Sequence, residues 1–418
     1  LGVSLLATQY TDESDSFDNQ YDKDAEYAES LTPPPADAVA VSTFEELEAA
    51  LDKGGNIKLT ANISLLETLN VSESAAIYGQ GHTITRADGY TGTVFSVKAD
   101  SNLTMENITL DGSGATATGN LIATEGNGSI VLNAGTVIQN NNGAHAVSLA
   151  TRGGGSLTLN GAQILNNSSD SGAIWAGGDV IVNEGSKISN NSSTGLAGAI
   201  RMVAGSAFTM NGGEISNNTA ATDGGAIWGY NASGYYFNGG SIENNSAQGA
   251  GGAIYPGQGS QFYISDDFVM TNNTATDSGA IRFTSGCQLH MSGGEISGNI
   301  SSDSGTNYSY NATTNITGGV FADNMTIGGW VGSTTIGNSF TGILKLEMTH
   351  KNVQLTDNFD GIKFEIINVE TTYADYKFIP AEGYTYTEGD ETKLICMNEG
   401  YEVCWDATSS TFKLQATN

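Results

Sequence analysis

Basic residues are scarce in this chain. Lys and Arg number 15 against 45 Asp and Glu, giving a formal net charge of −30 over 418 residues. A nucleic-acid ligand or an anionic membrane surface needs a basic footprint, and this charge has the wrong sign for both. Proline is rare at 5 residues, which excludes a collagen-like chain despite 55 glycines. No apolar run approaches the ~20 residues that span a bilayer, so no membrane span is expected. Cysteine is limited to Cys287, Cys396 and Cys404, and the histidines His82, His145, His290 and His350 are scattered. No metal-ligand cluster is visible and no cofactor is expected. Charged residues make up only 14%, yet hydrophobic residues reach 39%, ample for a buried core and too many for general disorder.

What the chain does have is a repeat. Ser171-Gly172-Ala173-Ile174 is followed by Ala197-Gly198-Ala199-Ile200, Gly224-Gly225-Ala226-Ile227, Gly251-Gly252-Ala253-Ile254 and Ser278-Gly279-Ala280-Ile281. A second column runs in phase through Ile164, Ile188, Ile215, Ile242 and Ile296. A third consists of asparagine pairs: Asn166-Asn167, Asn190-Asn191, Asn217-Asn218, Asn244-Asn245 and Asn272-Asn273. Between them lie short alternating runs, such as Phe208-Thr209-Met210 and Tyr235-Tyr236-Phe237, which carry the period of a strand and not of a helix. One period cannot bury its own apolar face. Periods stacked in register can, and the expected fold is an all-β, right-handed parallel β-helix with about 27 residues per coil and asparagine ladders at its corners.

The Gly-Gly-Ala-Ile units at 224–227 and 251–254, with Phe321-Ala322-Asp323-Asn324, resemble the repeats of polymorphic outer-membrane proteins and adhesin-like bacterial surface proteins. The likeness covers about residues 120–325. Tyr78-Gly79-Gln80-Gly81-His82-Thr83-Ile84 also resembles the early coils of pectate-lyase-like β-helices. The first resemblance implies a right-handed β-helix acting in adhesion. The second raises a polysaccharide lyase or hydrolase as an alternative, although no Arg-x-Lys follows Gly81-His82 and a polyanionic substrate would be repelled.

Three regions are expected. Residues 1–42 combine an apolar segment with a flexible acidic linker, which has eight carboxylates and one lysine between Thr11 and Ser30. Residues 43–340 form the β-helix, covered at its start by a helix over 43–54 with Thr43 as cap and Glu46 at the capping-box position. Beyond 340 the period vanishes, and residues 341–418 are expected to form a small antiparallel β domain. Cys396 and Cys404 flank a turn signal at Asn398-Glu399-Gly400, which places a hairpin disulfide among the expectations. Residues 1–7 have two open readings: the remnant of a signal peptide, or a donor strand in which Leu1, Val3 and Leu5 alternate and add to a neighbouring copy.

The residue after each Gly-Ala-Ile should point outward. Trp175, Arg201, Trp228, Tyr255, Arg282 and, one period on, Tyr308 then form a stripe of alternating aromatics and guanidiniums. It is either a ladder that stabilises the sheet or a contact surface for a glycan, a host surface protein or another copy of the chain. Asp170, Asp223, Asp277 and Asp303 form a second column. They read as turn residues, with Asp277 and Asp303 as candidate Ca²⁺ ligands or paired carboxylates. The expectation is an extracellular, non-catalytic cell-surface protein acting as adhesin or structural rod, with a self-assembling filament or surface-layer subunit as the alternative.

Overall fold

The computed structural model describes residues 31–417, apart from 151–153, 232, 266, 303–306, 329–332, 338, 348–351, 357–358 and 368–376. Leu1, Val3, Leu5 and Asp303 lie outside the described residues, as does the acidic segment up to residue 30.

The described residues wind into a right-handed parallel β-solenoid of about 11 turns, with about 26 residues per turn. One turn shows how sequence makes the coil. Ile200–Met202 lies on one face, Ala207–Ser216 bends around the next two, and Thr219–Ala220 closes the section before Ile227 stacks on Ile200. Alternation sends Phe208, Met210 and Ile215 inward, where they are fully buried. The isoleucine column is a single file inside the molecule. Leu69, Phe95, Ile122, Val147, Ile174, Ile200, Ile227 and Ile254 pair in succession, and a bridge carries the file on to Ile281.

The paired asparagines divide two tasks. The first of each pair, Asn166, Asn190, Asn217, Asn244 and Asn272, turns the corner at φ of 56–57°, a left-handed conformation that asparagine tolerates better than other side chains. The second is buried and donates its amide Nδ2 to the Oδ1 of the next, at 2.8–3.0 Å from Asn167 through Asn273 to Asn299. An outer row, Asn133, Asn160, Asn183, Asn211 and Asn238, donates in the opposite direction.

The start of the solenoid matches its expected cap. Helix α1 spans Phe44–Leu51; Thr43 accepts from the Glu46 N–H, the Glu46 carboxylate accepts from the Ser42 N–H at 2.7 Å, and Phe44, Leu47 and Leu51 are buried. The first strand, however, precedes the helix. Val39–Val41 pairs in parallel with Ile57–Leu59 inside the region expected to be linker.

The far end corrects the expected strand direction. Met325–Gly328, Ile343–Glu347 and Lys363–Ile367 continue the parallel stacking, and Ile395–Cys396 adds to it. The period disappears because the turns shorten. Asn307 pairs with Met325, and Met325 in turn with Leu344, intervals well short of the one that separates Ile227 from Ile254. Among the described residues of this end, antiparallel pairing is confined to the hairpin Tyr401–Asp406 with Thr411–Ala416 and its contact with Lys377 and Phe378. Phe412 and Leu414 of that hairpin are buried against the last turns.

The expected disulfide is also corrected. Cys396 and Cys404 are free thiols. Asn398 does not turn a hairpin between them; it bonds the Ile366 backbone through both its oxygen and its amide, extending the solenoid. Cys404 then lies opposite Lys413, while Cys396 pairs with Phe364.

Candidate functional site

The outward column forms as one line that starts on the sheet of eight parallel strands running from Leu69–Val71 to Ile254–Tyr255. Trp175 pairs with Arg201, Arg201 with Trp228, and Trp228 with Tyr255. The Arg282 N–H bonds the Ile254 carbonyl at 3.1 Å, bringing Arg282 beside Tyr255. All six stripe residues are half-buried. Parallel register makes this arrangement unavoidable, since equivalent residues of successive turns lie one strand spacing apart, ~4.8 Å.

Within the line the contacts form two stacks. In the first, the Arg201 guanidinium lies 4.4 Å from the Trp175 ring centre and 5.0 Å from that of Trp228. Its Nη1 donates to Ser171 Oγ at 2.7 Å. Burial between the indoles lowers the Arg201 pKa from its ordinary value, and the nearby Asp170 works against that. His145 extends this stack, with its ring 5.3 Å from Trp175. In the second, Arg282 lies 4.0 Å from the Tyr308 ring centre and pairs through Nε with Asp277 at 2.7 Å.

Between the stacks the line is broken. Among the described residues Trp228 and Tyr255 make no ring contact with each other; Trp228 leans instead toward Tyr230, 6.1 Å away. An open groove of about 280 Å³ lies there, walled by Trp228, Tyr230, Tyr255 and Pro256. Asn231, Gln258 and Thr284 supply its polar edge. Burial raises the Tyr255 pKa, and Asp223 adds to the rise. The Tyr255 phenol is therefore a neutral donor or acceptor throughout the physiological range.

No family, curated protein or solved structure matches this chain. The likeness to adhesin-type repeats therefore rests on the Gly-Gly-Ala-Ile units and Phe321-Ala322-Asp323-Asn324 alone.

The aspartate column has structural occupations. Asp223 Oδ1 accepts the Ala250 N–H of the next turn at 2.7 Å, and Asp277 is shared between Arg282 and the Ser278 hydroxyl. Among the described residues no group of three or more His, Cys, Asp or Glu side chains is placed to hold a metal ion. No helix among them is long and apolar enough to cross a membrane.

The structure adds a ladder that sequence reasoning missed. Tyr236, Tyr263 and His290 stack on the outside of another face at 5.3 and 5.1 Å, with rings within 11° of parallel. Their spacing, the same as that between Ile227, Ile254 and Ile281, is the signal that could have found them. It is overshadowed by the inward neighbours Tyr235, Phe262 and Leu289, which carry the alternation.

Proposed function

We propose that this chain is a non-catalytic, extracellular cell-surface rod, and that the stripe from Trp175 to Tyr308 is its contact surface, in the manner of an adhesin. One observation carries the reading: two of the chain's four tryptophans and two of its four arginines share one outward line with tyrosines and leave a groove where the stacking stops. Trp, Tyr and Arg are the residues that concentrate contact energy at recognition surfaces. A sheet needs no tryptophan at such positions, because Ser148 occupies the column one turn before Trp175 and pairs equally well. The occupation of Asp277 by Arg282 supports the non-catalytic part.

The test uses beads coated with the full chain and counts their retention on epithelial and microbial cell layers. Retention that drops at least about tenfold in the double variant Arg201→Ala/Trp228→Ala is the expected result. Unchanged retention removes the stripe. Release of reducing or unsaturated ends from a polysaccharide panel, abolished by Asp277→Asn, would overturn the non-catalytic reading.

A further inference from the structure

We infer that the groove between Trp228 and Tyr255 is a binding site for a neutral saccharide. The inference rests on the contact-surface reading above and names the ligand class. Its first support is the geometry of the break. Arg201 covers one face of Trp228, and the next turn offers Tyr255 without stacking on it. The indole thus stands at the wall of a groove with Tyr230 tilted beside it at 6.1 Å and with no ring stacked on it from the Tyr255 turn. An aromatic face of this kind suits the apolar C–H side of a sugar ring.

The second support is the polar edge. Asn231 and Gln258 are exposed, and among the described residues neither amide side chain makes a hydrogen bond. Amides offer donors and acceptors together, which matches sugar hydroxyls, themselves both. Thr284 adds a hydroxyl that points back to the Pro256 carbonyl at 3.3 Å. The groove of about 280 Å³ stands at the small end of ligand sites, enough for about one or two sugar rings.

The third support is charge. No lining residue is ionised. The two guanidiniums nearby are committed: Arg201 is sandwiched between indoles and bonded to Ser171, and Arg282 is paired with Asp277. Arg282 Nη1, which has no hydrogen-bond partner, is shielded from solvent. A uronate or sialylated sugar would find no counter-charge and would meet a chain of −30. A neutral sugar meets neither penalty.

The test presents the full chain with immobilised neutral oligosaccharides (cello-, xylo-, manno- and galacto-series) beside oligogalacturonate and sialyllactose, with calorimetry on any that bind. Retention of a neutral series is expected, with affinity reduced at least about tenfold in Trp228→Ala and in Tyr255→Ala. Tyr263→Ala, on another face, should leave it unchanged. Gln258→Ala, at an exposed position, weakens the same series and serves as the groove variant should an aromatic replacement fail to fold. Preference for the acidic sugars, binding that survives all three groove variants, or no binding up to about 10 mM overturns the inference. If the coated beads still adhere in that last case, the stripe stands as a contact surface and only the saccharide is lost. If the beads also fail, the broader reading falls with it.

Discussion

Asp323 accepts the side-chain amide of Asn299 at 2.7 Å and so ends, with a carboxyl group, the buried asparagine row. At the other end the Arg86 guanidinium donates to Asn141 Oδ1, and the Asn141 N–H passes the row on to Asn167. From Asn167 onward every amide points its oxygen toward Arg86 and its Nδ2 toward Asp323. Aligned amides sum to a dipole as peptide units do in a helix, and the charged ends have the complementary signs. Asp323 stands in the Phe-Ala-Asp-Asn variant of the repeat, where other turns carry an asparagine pair.

Asp323 should make stability depend on pH in an unusual sense. Burial raises its pKa above the ordinary carboxyl value, outweighing the opposing bonds from Asn299. Relative to the unfolded chain, the folded chain therefore favours the protonated form. The stability contributed is complete below the ordinary carboxyl pKa and is lost as pH rises through the raised value. Asp323→Asn, which continues the row without a charge, should raise the melting temperature by about 1–3 °C near pH 7 and leave it unchanged near pH 3. A lower melting temperature near pH 7 would show that the dipole of the row needs the charge more than burial opposes it.

A break inside the row should cost much more than one outside. Asn218 donates to the Ile188 carbonyl and to Asn245, and accepts from both the backbone and the amide of Asn191. Asn218→Leu strands those buried groups and should destabilise by at least about 3 kcal/mol, since each unsatisfied polar group costs about 1–3 kcal/mol. Asn211→Ala, in the exposed outer row, should cost under about 1 kcal/mol. Thermal melts of the two variants side by side test the contrast.

Beneath the groove, Gly229 makes room for Tyr235. A Cβ at Gly229 would lie 2.0 Å from the Tyr235 hydroxyl. That ring cannot swing away, because it stacks on Phe262 at 4.5 Å. Gly229→Ala should destabilise by about 1–3 kcal/mol through overpacking. Tyr235→Phe removes a buried hydroxyl that has no hydrogen-bond partner and should be neutral or stabilising. The double variant should recover most of the loss; a double variant as unstable as Gly229→Ala would place the clash elsewhere.

Thiol chemistry checks the far end. Unfolded without reductant, the chain should yield three thiols per molecule, from Cys287, Cys396 and Cys404. One thiol per molecule would mean that the 396–404 bridge forms after all. In the folded state Cys287 should be unreactive, because it is fully buried.

The coil, the inward isoleucine file and the membership of the outward stripe are all legible in the order of residues. A regular repeat with strand alternation has one economical packing, and that packing lays equivalent residues over one another. The asparagine pairs are legible as ladder and corner residues, though not which member does which. The last turns are not legible, because shorter turns abolish the period while parallel pairing persists. Alternating strands without a period look the same whichever way they pair. Cys396 and Cys404 mislead for the same reason, since Asn398 belongs to a parallel turn.

The sequence by itself determined which side chains stack within the regular turns, because equivalent positions in a stacked solenoid follow from spacing alone. Only the tertiary structure decided how they meet. Arg201 has two indoles to choose from and takes both, whereas Arg282 turns to Asp277 and Tyr308 and leaves Trp228 and Tyr255 apart. Arg86 reaches Asn141 across 55 residues that share no motif with it. Spacing fixes position along the stack, but rotamers, competing partners and burial fix orientation, and it is orientation that opens the groove.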